Sequence, residues 1–482
     1  MSSDHTKAHN ESSKVSSAGK GFEFEADVQS QERPDADLLV DAYLDRMCAR
    51  IKAKELHPEL REEMRAHIDE LAAGREDSGA SPLEAASWAL AQMGDADEVG
   101  GTLGQVHRPK FNWKLLVPLT AIVAIGLLAL FSLAASGDGI FQFINFGEQQ
   151  SVYYGMGIAA LILFTFFDYR LLKKHAVWLY TITILLTILF FTFGSTMING
   201  TLGWVNIGGI TLNWTLCMFI LFLLALPGLF ERLTLKDEKW NSGRQWVAIA
   251  LILLPVALYI YFSLLAWLLL SLYLIASLLL FSRAGGSRIY LYALPAAAAA
   301  SAVSLYLRNE YWQDRIMAVF APHPLTPDAN YANTTMAAAI REGGWLGQGF
   351  GSSGQSITYP YADAIFPYLT YSFGWIAAGI LVVCIVWLVV LLLGAVRAIT
   401  DYYGRSLAAG LSILLAGQWI YGIGASLGLL PFTKIAMPFI GYGGSTAIIN
   451  CAIFGLILGI YRRKDIIWVH RAAAGTQSTR SL

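Results

Sequence analysis

From Trp113 onward the sequence passes through one apolar stretch after another, each close to the length that crosses a bilayer as a helix. The stretches lie near 113–136, 151–167, 176–193, 212–230, 246–281, 289–307, 364–396, 407–427 and 438–461. The fifth, Trp246 to Phe281, has 36 residues, and as one helix it would rise roughly 54 Å against a hydrocarbon core of about 30 Å. It must hold two short spans, which makes ten. Loop charge gives the same number independently. "DYRLLKKH", "ERLTLKDEKWNSGRQ", "FSRAGGSR", "RAITDYYGR" and "YRRKD" carry the Lys and Arg, and with ten spans all of them face the cytosol, the side such loops prefer. Both termini are then expected in the cytosol. One long segment, about Arg308 to Asp363, is left on the outer side.

The expected fold is therefore all-α: a multi-pass membrane protein of about ten transmembrane helices, preceded by a small cytosolic helical domain. Composition fits, at 55% hydrophobic and 14% charged residues with a mean hydropathy of +0.50, too apolar for a water-soluble globule. A net charge of −1 without a basic block excludes nucleic acid as a partner, since phosphate neutralisation needs clustered Lys and Arg. The lipid bilayer is the first partner. Cys48, Cys217, Cys384 and Cys451 lie far apart, three of them inside apolar runs, and read as small buried hydrophobes. No ligand cluster for a metal and no cofactor motif is visible, and dependence on a divalent cation is left open.

Residues 1–36 are polar, lack the apolar core of a signal peptide, and read as a disordered cytosolic tail. Residues 37–108 form the small helical domain. Within it, "HPELREEMRAHIDELAAG" puts Leu60, Met64, Ile68 and Leu71 on one face. "SPLEAASWALAQMG" supplies Ser81 as N-cap, Pro82 at the first helical position, Glu84 three residues after the cap and Gly94 as terminator. The membrane domain is 109–482.

The outer segment, about 308–363, holds Arg308, Glu310, Asp314, Arg315, Asp328, Arg341, Glu342 and Asp363, and a loop of that length calls for a function. Its "REGGWLGQGFGSSGQ" follows no strand and reads as tight turns where backbone approaches something closely. "YPYADAIFPYLTYSFGW", Tyr359 to Trp375, puts one carboxylate, Asp363, at the mouth of an apolar run. It is either a marker of where the membrane begins or, if partly buried, a usable general base. Lys434 in "GLLPFTKIAMP" either snorkels at the interface or meets a lipid pyrophosphate. "PFIGYGGS" opens the last span with small residues, for close helix packing or as a kinked mouth over a polar cavity.

Taken together, these motifs resemble those of the shape, elongation, division and sporulation (SEDS) polytopic proteins typified by RodA, FtsW and SpoVE, over roughly Gly147 to Asp465. "QWIYGIGASLGLLPFTKIAMPFIGYGGS" is similar to the family's GLLP and SYGGS signature, with Gln418, Gly428 to Pro431, Pro438 and Tyr442 to Ser445 in register. "REGGWLGQGFG", "DRIMAVFAP" and "NGTLGWVNIGG" resemble three further family elements in the same order, the last matching Asn199, Gly200 and Trp204. The family's catalytic aspartate stands eleven residues before a glycine, as Asp363 stands before Gly374. The N-terminal helices resemble a prefix domain found ahead of some bacterial permeases.

What the resemblance implies is a peptidoglycan glycosyltransferase of cell division, elongation or sporulation, in the bacterial cytoplasmic membrane. It would polymerise lipid II, a glycan linked to undecaprenyl pyrophosphate, at the outer face, with a class B penicillin-binding protein as partner. Asp363 would be the general base. Lys434, Arg315 and Arg341 would meet the pyrophosphate, and Trp204, Tyr442, Gly443, Gly444 and Ser445 would complete the substrate site. The chain departs from the family where Q-P-S-E and a following Lys align with Asn213, Trp214, Thr215, Leu216 and Phe219, where R-Q becomes Gln149 and Gln150, where G-Y-Q becomes "NYA" with Ala332, and where an Asn becomes Gly422. Losing the buried Glu and Lys together leaves no uncompensated charge, so the fold stays coherent. The alternatives are a non-catalytic paralogue that senses or scaffolds envelope assembly and, more remotely, a transporter of lipid-linked precursors.

Overall fold

Helix-spaced apolar residues become helices throughout the computed structural model, which describes residues 33–51, 57–106, 111–137, 145–198, 201–207, 210–234, 240–262, 267–290, 292, 313, 317, 327–353, 357–431 and 436–464. The chain divides between Lys110 and Phe111 into two compact units.

In the first unit α1 (33–49), α2 (His57–Glu76), α3 (Pro82–Met93) and α4 (Ala96–Val106) close a small core on Leu44, Met47, Ile68, Ala86 and Ala89. Leu60 and Ile68 of the expected stripe are buried, while Met64 and Leu71 pack against the core edge. At α3, Ser81 accepts the Glu84 amide at 3.4 Å and Gly94 ends the helix at φ 87°, as the spacing predicts. Arginines tie the helices together on the outside: Arg61 to Asp41 and Asp45, Arg65 to Asp37 and Asp41, and Arg46 and Arg50 to Asp97. The hydrogen bond from Arg61 holds the Asp41 carboxyl below its usual range, and those from Arg50 and Arg46 do the same for Asp97. These ties persist above the ordinary carboxylate pKa and weaken as pH falls through the depressed values.

The second unit begins with a 3-10 turn, Trp113–Leu115, that runs into α5 (Leu116–Ala135). It continues with α6 (Phe146–Phe166), the short α7 (Arg170–Lys174), α8 (Ala176–Phe193), α9 (Trp214–Leu233), α10 (Ser242–Tyr261) and α11 (Trp267–Arg283). Beyond these come α12 (Pro327–Gly343), α13 (Ile365–Ala398), α14 (Tyr402–Ser426) and α15 (Gly444–Arg462). Among the described residues seven helices are long and apolar enough to cross a membrane. The run 246–281 is indeed two helices, α10 and α11, the second a shorter apolar one. The run 289–307 lies almost wholly outside the described residues. The molecule is thus an all-α, multi-pass membrane protein.

Two features differ from the sequence reading. Between α8 and α9 the chain forms a three-stranded antiparallel meander, β1 (Ser195–Ile198), β2 (Thr201–Ile207) and β3 (Ile210–Asn213), and β3 packs against α15. The run 364–396 is not one straight span either. α13 breaks at Gly374, whose φ of 76° and ψ of 177° no helix allows.

The basic connections meet at one end of the bundle. Lys173 pairs with Glu231 at 2.7 Å, Arg232 donates to the Lys174 carbonyl at 2.7 Å, and the Tyr169 hydroxyl donates to Asp401 at 3.3 Å. Arg463, only 3% exposed, donates to the Phe167 and Phe166 carbonyls at 2.6 and 3.0 Å and so closes the C-terminus of α6. Arg463→Ala leaves two such carbonyls unanswered and is expected to cost roughly 2–4 kcal/mol. Thermal unfolding of the detergent-solubilised chain measures this, and Arg463→Lys, which lacks the planar fork, should recover only part.

Candidate active site

At the opposite end, Asp363 sits half-buried in a tight turn, 357–364, that leads into α13. The Ala362 and Ala364 amides both donate to the Tyr359 carbonyl, at 3.1 and 3.2 Å. Tyr359 itself is held at φ 53°, a left-handed conformation that a bulky residue adopts only under tertiary constraint. The constraint comes from the segment before α15. The Tyr442 amide donates to the Tyr361 carbonyl at 2.6 Å, and Gly441 lies so close to Ala362 that a Cβ there would come within 2.7 Å of its carbonyl oxygen. That segment contains the second strained residue, Phe439, at φ 64°.

α6 holds the Tyr442 turn from the other side. The Tyr442 hydroxyl donates to Gln149 Oε1 at 2.6 Å, and the Gly443 amide donates to Gln150 Oε1 at 3.0 Å. Phe146 stacks on Tyr361 at 4.7 Å between ring centroids and meets the Tyr442 ring edge-on at 5.1 Å, with Tyr153 at 6.3 Å from Tyr442. Gly444 faces the Tyr153 ring, which a Cβ would strike. Three segments far apart in sequence thereby fix the backbone that carries Asp363.

Burial, with Tyr153 and Tyr361 nearby, pushes the Tyr442 phenol up from 10.0 to about 12. It therefore remains a donor through the working range. A proton held more tightly by the folded state gives stability that is complete below pH 10 and is lost as pH rises toward 12. Tyr442→Phe should cost about 1 kcal/mol at neutral pH and flatten that alkaline loss, as read from unfolding midpoints between pH 8 and pH 11.

A second seam supports α13 at its break. The Gln348 and Gly349 amides donate to the Tyr371 and Ser372 carbonyls, each at 2.9 Å, and the Trp375 and Ile376 amides donate to the Gly344 and Trp345 carbonyls at 2.9 and 3.3 Å. The glycine-rich loop thus satisfies the backbone groups that the break at Gly374 frees. Tyr368 and Ser132 share a hydrogen bond at 3.1 Å, and Ser132 Oγ accepts the Gly351 amide at 3.0 Å, which joins this loop to α5.

The remaining predicted residues are spread more widely. Ser445 is buried in the first turn of α15, and Gly443, at its N-cap, has no side chain to cap the amides there. Trp204 is half-buried on β2, opposite Thr196 and Asn213. Arg341 is exposed in the last turn of α12, its Nε donating to the Ala337 carbonyl at 3.3 Å. Arg315 and Lys434, like Arg308, Glu310 and Asp314, lie outside the described residues. Among the described residues no group of three or more His, Cys, Asp or Glu converges as a metal site.

Gln149, Gln150, Phe146 and Tyr153 complete the site without having been predicted as part of it. The signal was present as two consecutive amides at the head of an apolar run. At the stretch where the resemblance leads one to expect a buried Glu and Lys, this chain builds an aromatic core: Trp214, Leu216 and Phe219 are buried, Trp214 Nε1 donates to Thr187 at 3.2 Å, and Phe219 packs on Tyr259 and Tyr273 at 5.9 and 5.1 Å.

Comparison with known proteins gives one answer. A probable peptidoglycan glycosyltransferase FtsW from Geobacter sp. (strain M18) is 27% identical over 338 residues, 68% of this chain and 88% of that protein. The peptidoglycan glycosyltransferase MrdB of Escherichia coli K12 is 26% identical over 360 residues, 73% of this chain and 94% of its own. Among solved structures, a chain from a peptidoglycan synthase complex that coordinates polymerization and crosslinking superposes with a TM-score of 0.61 at 23% identity, over 73% of this chain and 98% of that one. The Thermus thermophilus rod shape determining protein RodA, in a mutant form, gives 0.52 at 22% identity, over 73% and 98%. Both likenesses establish the fold. Residues 112–466 match the family described as cell cycle protein, FtsW, RodA and SpoVE, and the chain belongs to that family.

Proposed function

We propose that this protein is a peptidoglycan glycosyltransferase that polymerises a lipid-linked disaccharide, lipid II, at the outer face of the cytoplasmic membrane. The observation that carries the reading is the clamped turn: a half-buried carboxylate whose backbone is fixed by the Tyr442 segment and, through it, by the amides of Gln149 and Gln150. A general base must be held still in this way against its substrate. Asp363 removes the proton of the acceptor sugar hydroxyl as that oxygen attacks the anomeric carbon of the donor. The bond to the pyrophosphate breaks, and the lipid pyrophosphate leaves with the negative charge. The backbone amides at the start of α15, beside this turn, stabilise that charge, as the positive end of a helix does for phosphate. Arg341, Arg315 and Lys434 supply the cations.

The neighbour from a synthase complex that coordinates polymerization and crosslinking supports a crosslinking partner, which in this reading is a transpeptidase of the class B penicillin-binding kind. The clustering of the basic loops at the end away from Asp363 supports cytosolic termini and an outward-facing site. The purified chain, alone and with its cognate transpeptidase, should convert labelled lipid II into glycan strands. No polymer under either condition overturns the assignment. The uncharged core in place of the family's ion pair favours the second reading, a non-catalytic scaffold, which would instead restore a deletion strain equally well with Asp363 replaced.

A further inference from the structure

We propose that the glycine-rich loop 344–350 inserts into the membrane leaflet on the Asp363 side and fixes the depth of the broken α13. Trp345, Leu346 and Phe350 are 76%, 80% and 58% exposed, yet their backbone is not free, because the seam with 371–376 ties it down on both sides of Gly374. Three bulky apolar side chains held rigidly outward have no place in water.

The occupant follows from continuity with a surface that already faces lipid. On the long arm of α13, Ile376, Ile380, Val383, Trp387, Val390 and Leu393 are all exposed, and their spacing of three and four residues makes one lipid-facing stripe. The Ile376 amide bonded to the Trp345 carbonyl sets Trp345 beside the top of that stripe. Depth can be counted from the other end. Arg397 lies in the last turn of α13, and the 22 steps back to Trp375 rise about 33 Å, the thickness of the hydrocarbon core plus a few ångströms. Trp375 and its neighbour Trp345 therefore stand at the interfacial level where tryptophan rings settle. From Gly343 to Phe350 the sequence contains no charged residue, so nothing in the loop itself resists the headgroup zone. Charge resumes with Arg341 and Glu342, both exposed.

The full chain, with its four cysteines replaced by Ala, would be given a single NBD-labelled cysteine at Leu346→Cys, Ser353→Cys or Ile380→Cys, in nanodiscs of phosphatidylcholine and phosphatidylglycerol. Nitroxide-labelled phosphatidylcholine and aqueous iodide serve as quenchers. Ile380 is the reference for full lipid contact and the exposed Ser353 the reference for water. The Leu346 probe is expected to match Ile380 in nitroxide quenching and to exceed Ser353 by about threefold, with iodide quenching correspondingly weak. Iodide quenching equal to that at Ser353 overturns the proposal. So does protection from both quenchers, which would mean that protein and not lipid covers the loop. That Asp363 then works at the depth of a lipid-linked sugar rests on the function proposed above, whereas the fluorescence result does not.

Discussion

Asp363→Asn is expected to leave the fold intact and to lower the rate of lipid II polymerisation by about 10²–10⁴-fold, the usual contribution of a positioned general base. The amide has nearly the shape of the carboxylate, and the turn that carries it is held by backbone contacts from Tyr442 and Tyr359, so unfolding temperature should barely move. Asp363→Glu is a sharper probe. It keeps the chemistry and displaces the oxygens by one methylene, and misplacement of that size can cost about 10²-fold. Turnover of labelled lipid II in detergent, with melting temperature measured on the same samples, separates loss of base from loss of structure. Activity in Asp363→Asn equal to that of the parent chain would remove Asp363 from the chemistry.

Gly374→Val should be among the most damaging single changes in the membrane unit. At φ 76° a β-branched residue is strained in any surroundings, and here a Cβ would also run into the Trp345 carbonyl and the Leu346 amide nitrogen. Relief requires opening the seam, which gives up the hydrogen bonds of Trp375 and Ile376 to the loop. The expected loss exceeds about 4 kcal/mol, which for a protein of ordinary stability is close to the whole margin. Gly379→Ala, five residues along the same helix with nothing within 4 Å of its Cβ, should be neutral or slightly stabilising. Comparing the two variants by yield of monodisperse protein and melting temperature isolates the break from helix propensity. Similar behaviour of the pair would refute the structural role given to Gly374.

Among the described residues the placement of the membrane-length helices, and the split of 246–281 into two, could be read because hydrophobic length and loop charge are local quantities. The same length test, applied to 364–396, would also have exposed the break, since about 33 residues rise roughly 50 Å. The meander was legible too, with Asn199-Gly200 and Gly208-Gly209 dividing β-branched and aromatic runs, but an apolar background hides short strands. Asp363 could be singled out because its spacing to Gly374 resembles a known pattern. What fixes it could not be found that way. Tyr442, Gln149 and Phe146 reach Asp363 only through tertiary packing, and their mutual contacts leave no periodic trace in sequence. Gly422 shows the same limit: nothing in its sequence neighbourhood announces that the structure fills the space beside it with the Met437 side chain, which a Cβ at Gly422 would strike.

The seam at Gly374 also settles how the region can move. A break in a transmembrane helix is ordinarily a hinge, because freed backbone groups let two arms swing. Here the amides just beyond the break bond to carbonyls of the 344–345 segment, while carbonyls just before it bond to amides of 348–349. The two arms and the loop are splinted into one body. Any displacement of the Asp363-bearing arm must therefore carry the loop with it, and a force applied to Trp345 or Leu346 is delivered to the turn that holds Asp363 without slack.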